Sequence, residues 1–136
     1  MATNLKQFNT EISRVAKKIV EENVSKFIIM VSLEVFRRIV LRTPVDTGRA
    51  RGNWQIEINR PADGVIEIEG GAGEMASAAM ARETGKLIGI SPFSIVHITN
   101  NVPYVYTLEY DKRSSQSPEG FVEITLVEMR DWAAKL

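Results

Sequence analysis

Five arginines, Arg37, Arg38, Arg42, Arg49 and Arg51, form the one basic concentration in the chain. Arg38 and Arg42 are four residues apart and share a face of any helix that carries them. Arg49 and Arg51 follow just beyond a turn. A planar guanidinium pairs bidentately with phosphate or with carboxylate, so the cluster suits DNA passing by or an acidic surface on another subunit. The second chemically suggestive group is Glu109, with Asn100, Tyr104 and Tyr110 near it in sequence. In an enzyme it is material for a general base. A structural role fits better: Asn100 and Asn101 can satisfy turn amides, Pro103 presets helical geometry, and Glu109 near the helix end suits a partner arginine. Arg49 or Arg51 is the expected partner, within the chain or across a subunit boundary.

Other polar residues carry less. His97 is the only histidine and lies between Val96 and Ile98, a structural position in a strand. With no cysteine, a zinc site needs several carboxylates, which is unusual. Glu67 and Glu69 fall on one side of a strand, where a solvated sheet face accounts for them. Gly70-Gly71-Ala72-Gly73 has the glycine content of a phosphate loop but lacks the following Lys-Ser or Lys-Thr, and Glu74 repels phosphate. It reads as a hinge. No cofactor and no metal is expected, and the chain does not read as an enzyme.

The elements that position these residues follow from periodicity. Leu5, Phe8, Ile12, Val15 and Ile19 recur at alternating three and four residue steps, the stripe of an amphipathic helix. The stripe loses phase near Glu21 to Ser25, because the next apolar set is Val20, Val24, Phe27, Val31 and Val35; a kink or break is expected there. A straight helix from Thr3 to Arg42 would reach about 60 Å, against a diameter of roughly 35 to 40 Å for a compact domain of this size. Residues 1–20 therefore either project as an arm that needs a partner or fold back on the chain's own sheet.

Residues 43–53 read as a junction loop. Pro44 closes the helix, Asp46, Thr47 and Gly48 reverse the chain, and Trp54 opens a strand. Trp54 to Asn59 and Val65 to Ile68, about a Pro61-Ala62-Asp63-Gly64 turn, suggest a β-hairpin. Glu74 to Lys86 is an alanine-rich helix ending at Gly85. Phe93 to Thr99 is a strand with Ile95, His97 and Thr99 on one face. Asn101 can cap a short helix with Pro103 in its first turn and Tyr104 and Leu108 on one side. After a polar loop from Asp111 to Ser117, Val122, Leu126, Met129, Ala133 and Leu136 fit helical spacing, although Phe121, Glu123, Thr125 and Val127 also alternate like a strand. Helix is favoured. The expected fold is α+β: a long, bent N-terminal helix and shorter helices packed on a small, mainly antiparallel sheet.

At 136 residues and 44% hydrophobic, residues 1–136 suit one domain with a real core. The absence of cysteine fits assembly in a reducing cytoplasm. Met1 to Lys6 lacks the order of a signal peptide, and the longest apolar run, Phe27 to Val31, falls far short of a membrane span. Export and membrane insertion are not expected. Residues 1–60 carry 11 Lys and Arg against 6 Asp and Glu, and residues 61–136 carry 6 against 11. Opposite charges in the two halves favour packing between subunits over duplex DNA, for which a strongly basic domain is expected.

Three groups of residues, in order, carry a resemblance: Pro44-Val45-Asp46-Thr47-Gly48-Arg49 with Arg51 and Trp54; Asn100-Asn101-Val102-Pro103-Tyr104 with Leu108-Glu109-Tyr110; and Ser117-Pro118-Glu119-Gly120-Phe121. In these the chain resembles the minor tail protein Z-like, or head-tail joining (neck, tail-completion), proteins of tailed bacteriophages. It departs at Asp111, where that family usually has glycine. The resemblance spans residues from about 30 to 125 and implies a structural virion protein that joins the head connector to the tail. It implies a homo-oligomeric ring, other neck and tail proteins as partners, and a place at the head-tail junction after assembly in the host cytoplasm. A tail-terminator ring at the top of the tail tube is the near alternative. In a different class, a small DNA-contacting module would use Arg37 to Arg51.

Overall fold

The apolar stripe that starts at Leu5 does form a helix, and the helix does not stop where the stripe loses phase. A computed structural model describes residues 5–44, 48–67, 74–111 and 118–135, and in it α1 (Leu5–Arg42) runs 38 residues without interruption. The break expected near Glu21 to Ser25 does not occur. Every residue from Leu5 to Val20 is exposed, whereas Ser32, Phe36, Ile39 and Val40 are buried. A phase change forces a helix to break only if both faces must meet one core. Here only the C-terminal half meets it, so the first half projects, and folding back on the sheet is excluded.

The end of α1 is tied down by its neighbours. The Thr43 hydroxyl donates to the Ile39 carbonyl at 2.6 Å, and Pro44 is buried immediately after. Val45, Asp46 and Thr47 lie outside the described residues. Gly48, at φ 75°, then leads into α2 (Arg49–Gly52), a single helical turn inside the stretch read as a loop.

Next, β1 (Gln55–Ile58) pairs antiparallel with β2 (Val96–Thr99), Gln55 opposite Thr99 and Ile58 opposite Val96. Among the described residues Val65 to Glu67 form no strand, so the β-hairpin expected between Trp54 to Asn59 and Val65 to Ile68 is not formed there. Asn59 takes a φ of 68° and turns the chain out of β1, while its amide donates to Ile95 and its side chain accepts from the Ile95 amide. The returning segment is held by side chains instead. Asn53 both accepts from the Ile66 amide and donates to the Ile66 carbonyl, and Gln55 donates to Gly64. Ile68, Glu69 and the glycine-rich stretch 70–73, read as a hinge from the sequence, lie outside the described residues.

The alanine-rich segment forms α3 (Met75–Glu83) and tightens into a 3-10 turn, Thr84–Leu87, containing Gly85. β2 starts at Val96 rather than Phe93, and Phe93 and Ile95 are exposed. Asn100 rather than Asn101 accepts from the Val102 amide, and the short helix ends in a wide π turn, Thr107–Asp111. The final segment is α4 (Val122–Ala133), the helical alternative. Of the polar loop, residues 112–117 lie outside the described residues, as does Leu136. The core gathers Phe36, Ile39, Val40, Trp54, Ile56, Ala79, Leu87, Val102 and Phe121. Among the described residues, helices around a two-stranded antiparallel sheet make this an α+β fold.

Candidate functional site

The arginines meet the C-terminal signature in one groove. Arg37, Arg38 and Arg42 from α1, Arg51 from α2, and Pro118, Glu119, Gly120, Ile124 and Glu128 around α4 line an open cleft of about 720 Å³. Its charges are largely occupied. Arg38 reaches Glu34 at 2.7 Å and Glu128 at 3.2 Å, Arg42 also pairs with Glu128, and Arg37 holds Glu34 at 2.7 Å. Hydrogen bonds from Arg37 and Arg38, with burial opposing them, keep the Glu34 carboxyl below its ordinary range. Arg51 faces inward: it donates to the carbonyls of Thr43 at 3.0 Å and Leu41 at 2.8 Å. Those carbonyls have no partner within the helix, so Arg51 caps the C-terminus of α1. An incoming phosphate would have to displace Glu34 or Glu128, and the exposed parts of Arg37 and Arg42 are what a partner can reach.

Glu109 faces the start of α4 rather than Arg51. Its side chain is 1% exposed, and its carboxylate accepts the amides of Phe121 at 2.7 Å, Val122 at 3.1 Å and Glu123 at 2.9 Å. It caps the N-terminus of α4, where free amides and the helix dipole favour negative charge. Arg51 is committed to backbone carbonyls, so of the two expected partners of Glu109, Arg49 or Arg51, the Arg51 pair within the chain is replaced on each side by a helix terminus. Arg49 is exposed, and its carbonyl accepts from Asn53.

The remaining signature residues tie the chain to itself. Trp54 donates from Nε1 to the Thr43 hydroxyl at 2.8 Å and meets Phe121 edge-on, with ring centroids 6.2 Å apart. Asn100 donates to Ala50 at 2.7 Å, and Asn101 to Ala62 and Gly64. Leu108 packs on the core, Tyr110 lies against Tyr106, and Pro103 and Tyr104 are on the surface. Thus the three groups of residues, far apart in sequence, converge on one body. Of the signature residues, Val45, Asp46, Thr47 and Ser117 lie outside the described residues.

Sequence reasoning missed Glu83. This residue, also 1% exposed, accepts from the Ile56 amide at 2.8 Å, from Arg82 at 2.6 Å and from Lys86 at 2.9 Å. Burial pushes its carboxyl up, but the bonds from Lys86, Ile56 and Arg82 outweigh that and hold it below the usual range. Arg82 continues to the carbonyls of Gly52 and Trp54, so these side chains cover the β1 edge that β2 leaves open. The Glu83 to Lys86 spacing was the available signal, although it reads equally as an exposed helical pair.

His97 is half-buried opposite Glu57 in the sheet. Among the described residues no three His, Asp or Glu side chains cluster as metal ligands, and no helix is long and apolar enough to cross a membrane. Comparisons with protein-family models, curated proteins and solved structures each found no match.

Proposed function

We propose that the chain is a structural protein of a tailed-phage virion, a neck or tail-completion component that joins the head connector to the tail through subunit contacts and performs no chemistry. The observation that carries this reading is the projecting half of α1. Leu5, Phe8, Ile12 and Ile19 are more than half exposed on one face, and apolar faces of that kind are seldom left to water. The resemblance in the three signature groups names the kind of assembly. In it the protein would form a ring at the head-tail junction, after assembly in the host cytoplasm, with other neck and tail proteins as partners. Rings arise when a head-to-tail interface closes by rotation, and oppositely charged halves suit such an interface.

The test is to mix the purified protein with tail tubes and measure mass by light scattering and position by electron microscopy. Density added at one tube end supports the reading, and the end occupied separates tail completion from tail termination. A protein indifferent to tubes rejects both. The groove offers a second reading, transient contact with DNA, through the exposed parts of Arg37 and Arg42. Binding that falls steeply with salt would support that reading.

A further inference from the structure

We propose that the projecting half of α1 pairs antiparallel with the same segment of a second copy of this chain. Leu5, Phe8, Ile12, Val15 and Ile19 are 73, 58, 52, 40 and 52% exposed. Their alternating three and four residue steps are those of the a and d positions of a heptad, the seam of a two-helix coil. Laid antiparallel about a midpoint between Ser13 and Arg14, four of the five seam residues meet one another, and Leu5 lies at the edge opposite the partner's Glu22. Ile12 faces the partner's Val15 and Phe8 faces the partner's Ile19, and symmetry repeats both layers.

The flanking charges select this register and direction. Glu11 and Lys18 both stand immediately before an a position. In the antiparallel register Glu11 falls opposite the partner's Lys18, and Lys18 opposite the partner's Glu11. The other flank sets Asn9 against the partner's Ala16 and is neutral. In a parallel pair Glu11 would face the partner's Ala16 and Lys18 the partner's Asn23, so neither charge would meet its opposite. Within the chain Glu11 is held by Arg14, whose hydrogen bond and nearby charge keep its carboxyl below the ordinary range.

The geometry leaves room for the partner. In this register the partner's Leu5 lies opposite Glu22, whereas the fully buried positions of α1 begin at Ser32. The rise of the helix then holds the two bodies roughly 50 Å apart. Val20, Val24 and Phe27 lie on a rotated face and take no part. The inference rests on the helix alone and stands or falls apart from the neck reading.

Sedimentation equilibrium of the full chain across a micromolar range should give a monomer-dimer mass. Glu11→Lys and Lys18→Glu should each weaken the dimer about tenfold, since two attractive pairs become two repulsive ones. The combined variant should regain the original affinity, and circular dichroism should show that all three keep their helix. The chain has no cysteine, so introduced thiols report direction. Leu5→Cys together with Glu22→Cys should form a disulfide-linked dimer, and Leu5→Cys alone should not. A monomer throughout the range, a double reversal as weak as the singles, or linkage through Leu5→Cys alone would overturn the proposal. A dimer that ignores tail tubes would retain it and reject the neck reading.

Discussion

Gly120 stands where no side chain fits because Glu109 occupies the space. A Cβ at Gly120 would lie 2.6 Å from Glu109 Oε1 and 2.9 Å from its Cδ, and the backbone there has φ +82°. The same carboxylate accepts the next three amides, so the close approach is the condition for capping α4. Gly120→Ala meets both obstacles, a left-handed backbone and a buried charged group that cannot withdraw without leaving those amides unpaired. It should destabilise the chain by about 2–4 kcal/mol, read from urea unfolding. A loss below about 0.5 kcal/mol would mean that Glu109 is not held there.

Glu109→Gln tests the cap from the other side. The amide keeps one acceptor but turns a donor toward a backbone N–H, so it should cost about 1–3 kcal/mol, and Glu109→Ala should cost more. Thermal unfolding followed by circular dichroism measures both. Equal losses for Gln and Ala would argue against charge as the reason for the cap.

Thr43 and Trp54 offer a test in the core. The Thr43 hydroxyl accepts from Trp54 Nε1 and donates to Ile39, so Thr43→Val strands the Trp54 N–H and leaves the Ile39 carbonyl only the Thr43 amide, while preserving shape. The expected loss is about 1–3 kcal/mol, with a shift in tryptophan fluorescence, and Thr43→Ser should recover most of it.

Glu83 predicts an acid response. Its folded pKa is lowered from an ordinary value near 4.5. A depressed carboxyl contributes stability that is fully present above the unfolded value and is lost as pH falls through the folded one. Stability should therefore decline as pH drops below about 4.5, where Glu34 adds to the decline because its pKa is also lowered. Glu83→Gln should be less stable at neutral pH and show a shallower decline. An unchanged slope would remove Glu83 as a source.

Residues 5–20 are exposed throughout, so removing residues 1–20 should leave the body folded. At a dilution where the chains are monomeric, the unfolding free energy should change by less than about 0.5 kcal/mol. Under the neck reading the same truncation should abolish incorporation into particles. Normal incorporation would remove the arm from that role.

Local patterns were legible from the sequence alone, because each depends on neighbours a few residues away. The apolar spacing from Leu5 marks α1, Pro44 marks its end, the alanines mark α3, and Val122 to Ala133 carries the spacing of α4. The β-branched run around Val96 marks β2. Tertiary structure decided which of these meet. β1 pairs with a strand about 40 residues on because Asn59 leaves the expected hairpin and Asn53 holds Ile66 by its side chain. It also decided which charges turn inward. Glu83, Glu109 and Arg51 look in sequence like surface residues, yet each satisfies backbone groups that a strand edge or helix end leaves open. Such groups must find partners once buried, and the partner is set by what the fold brings within about 3 Å rather than by sequence spacing.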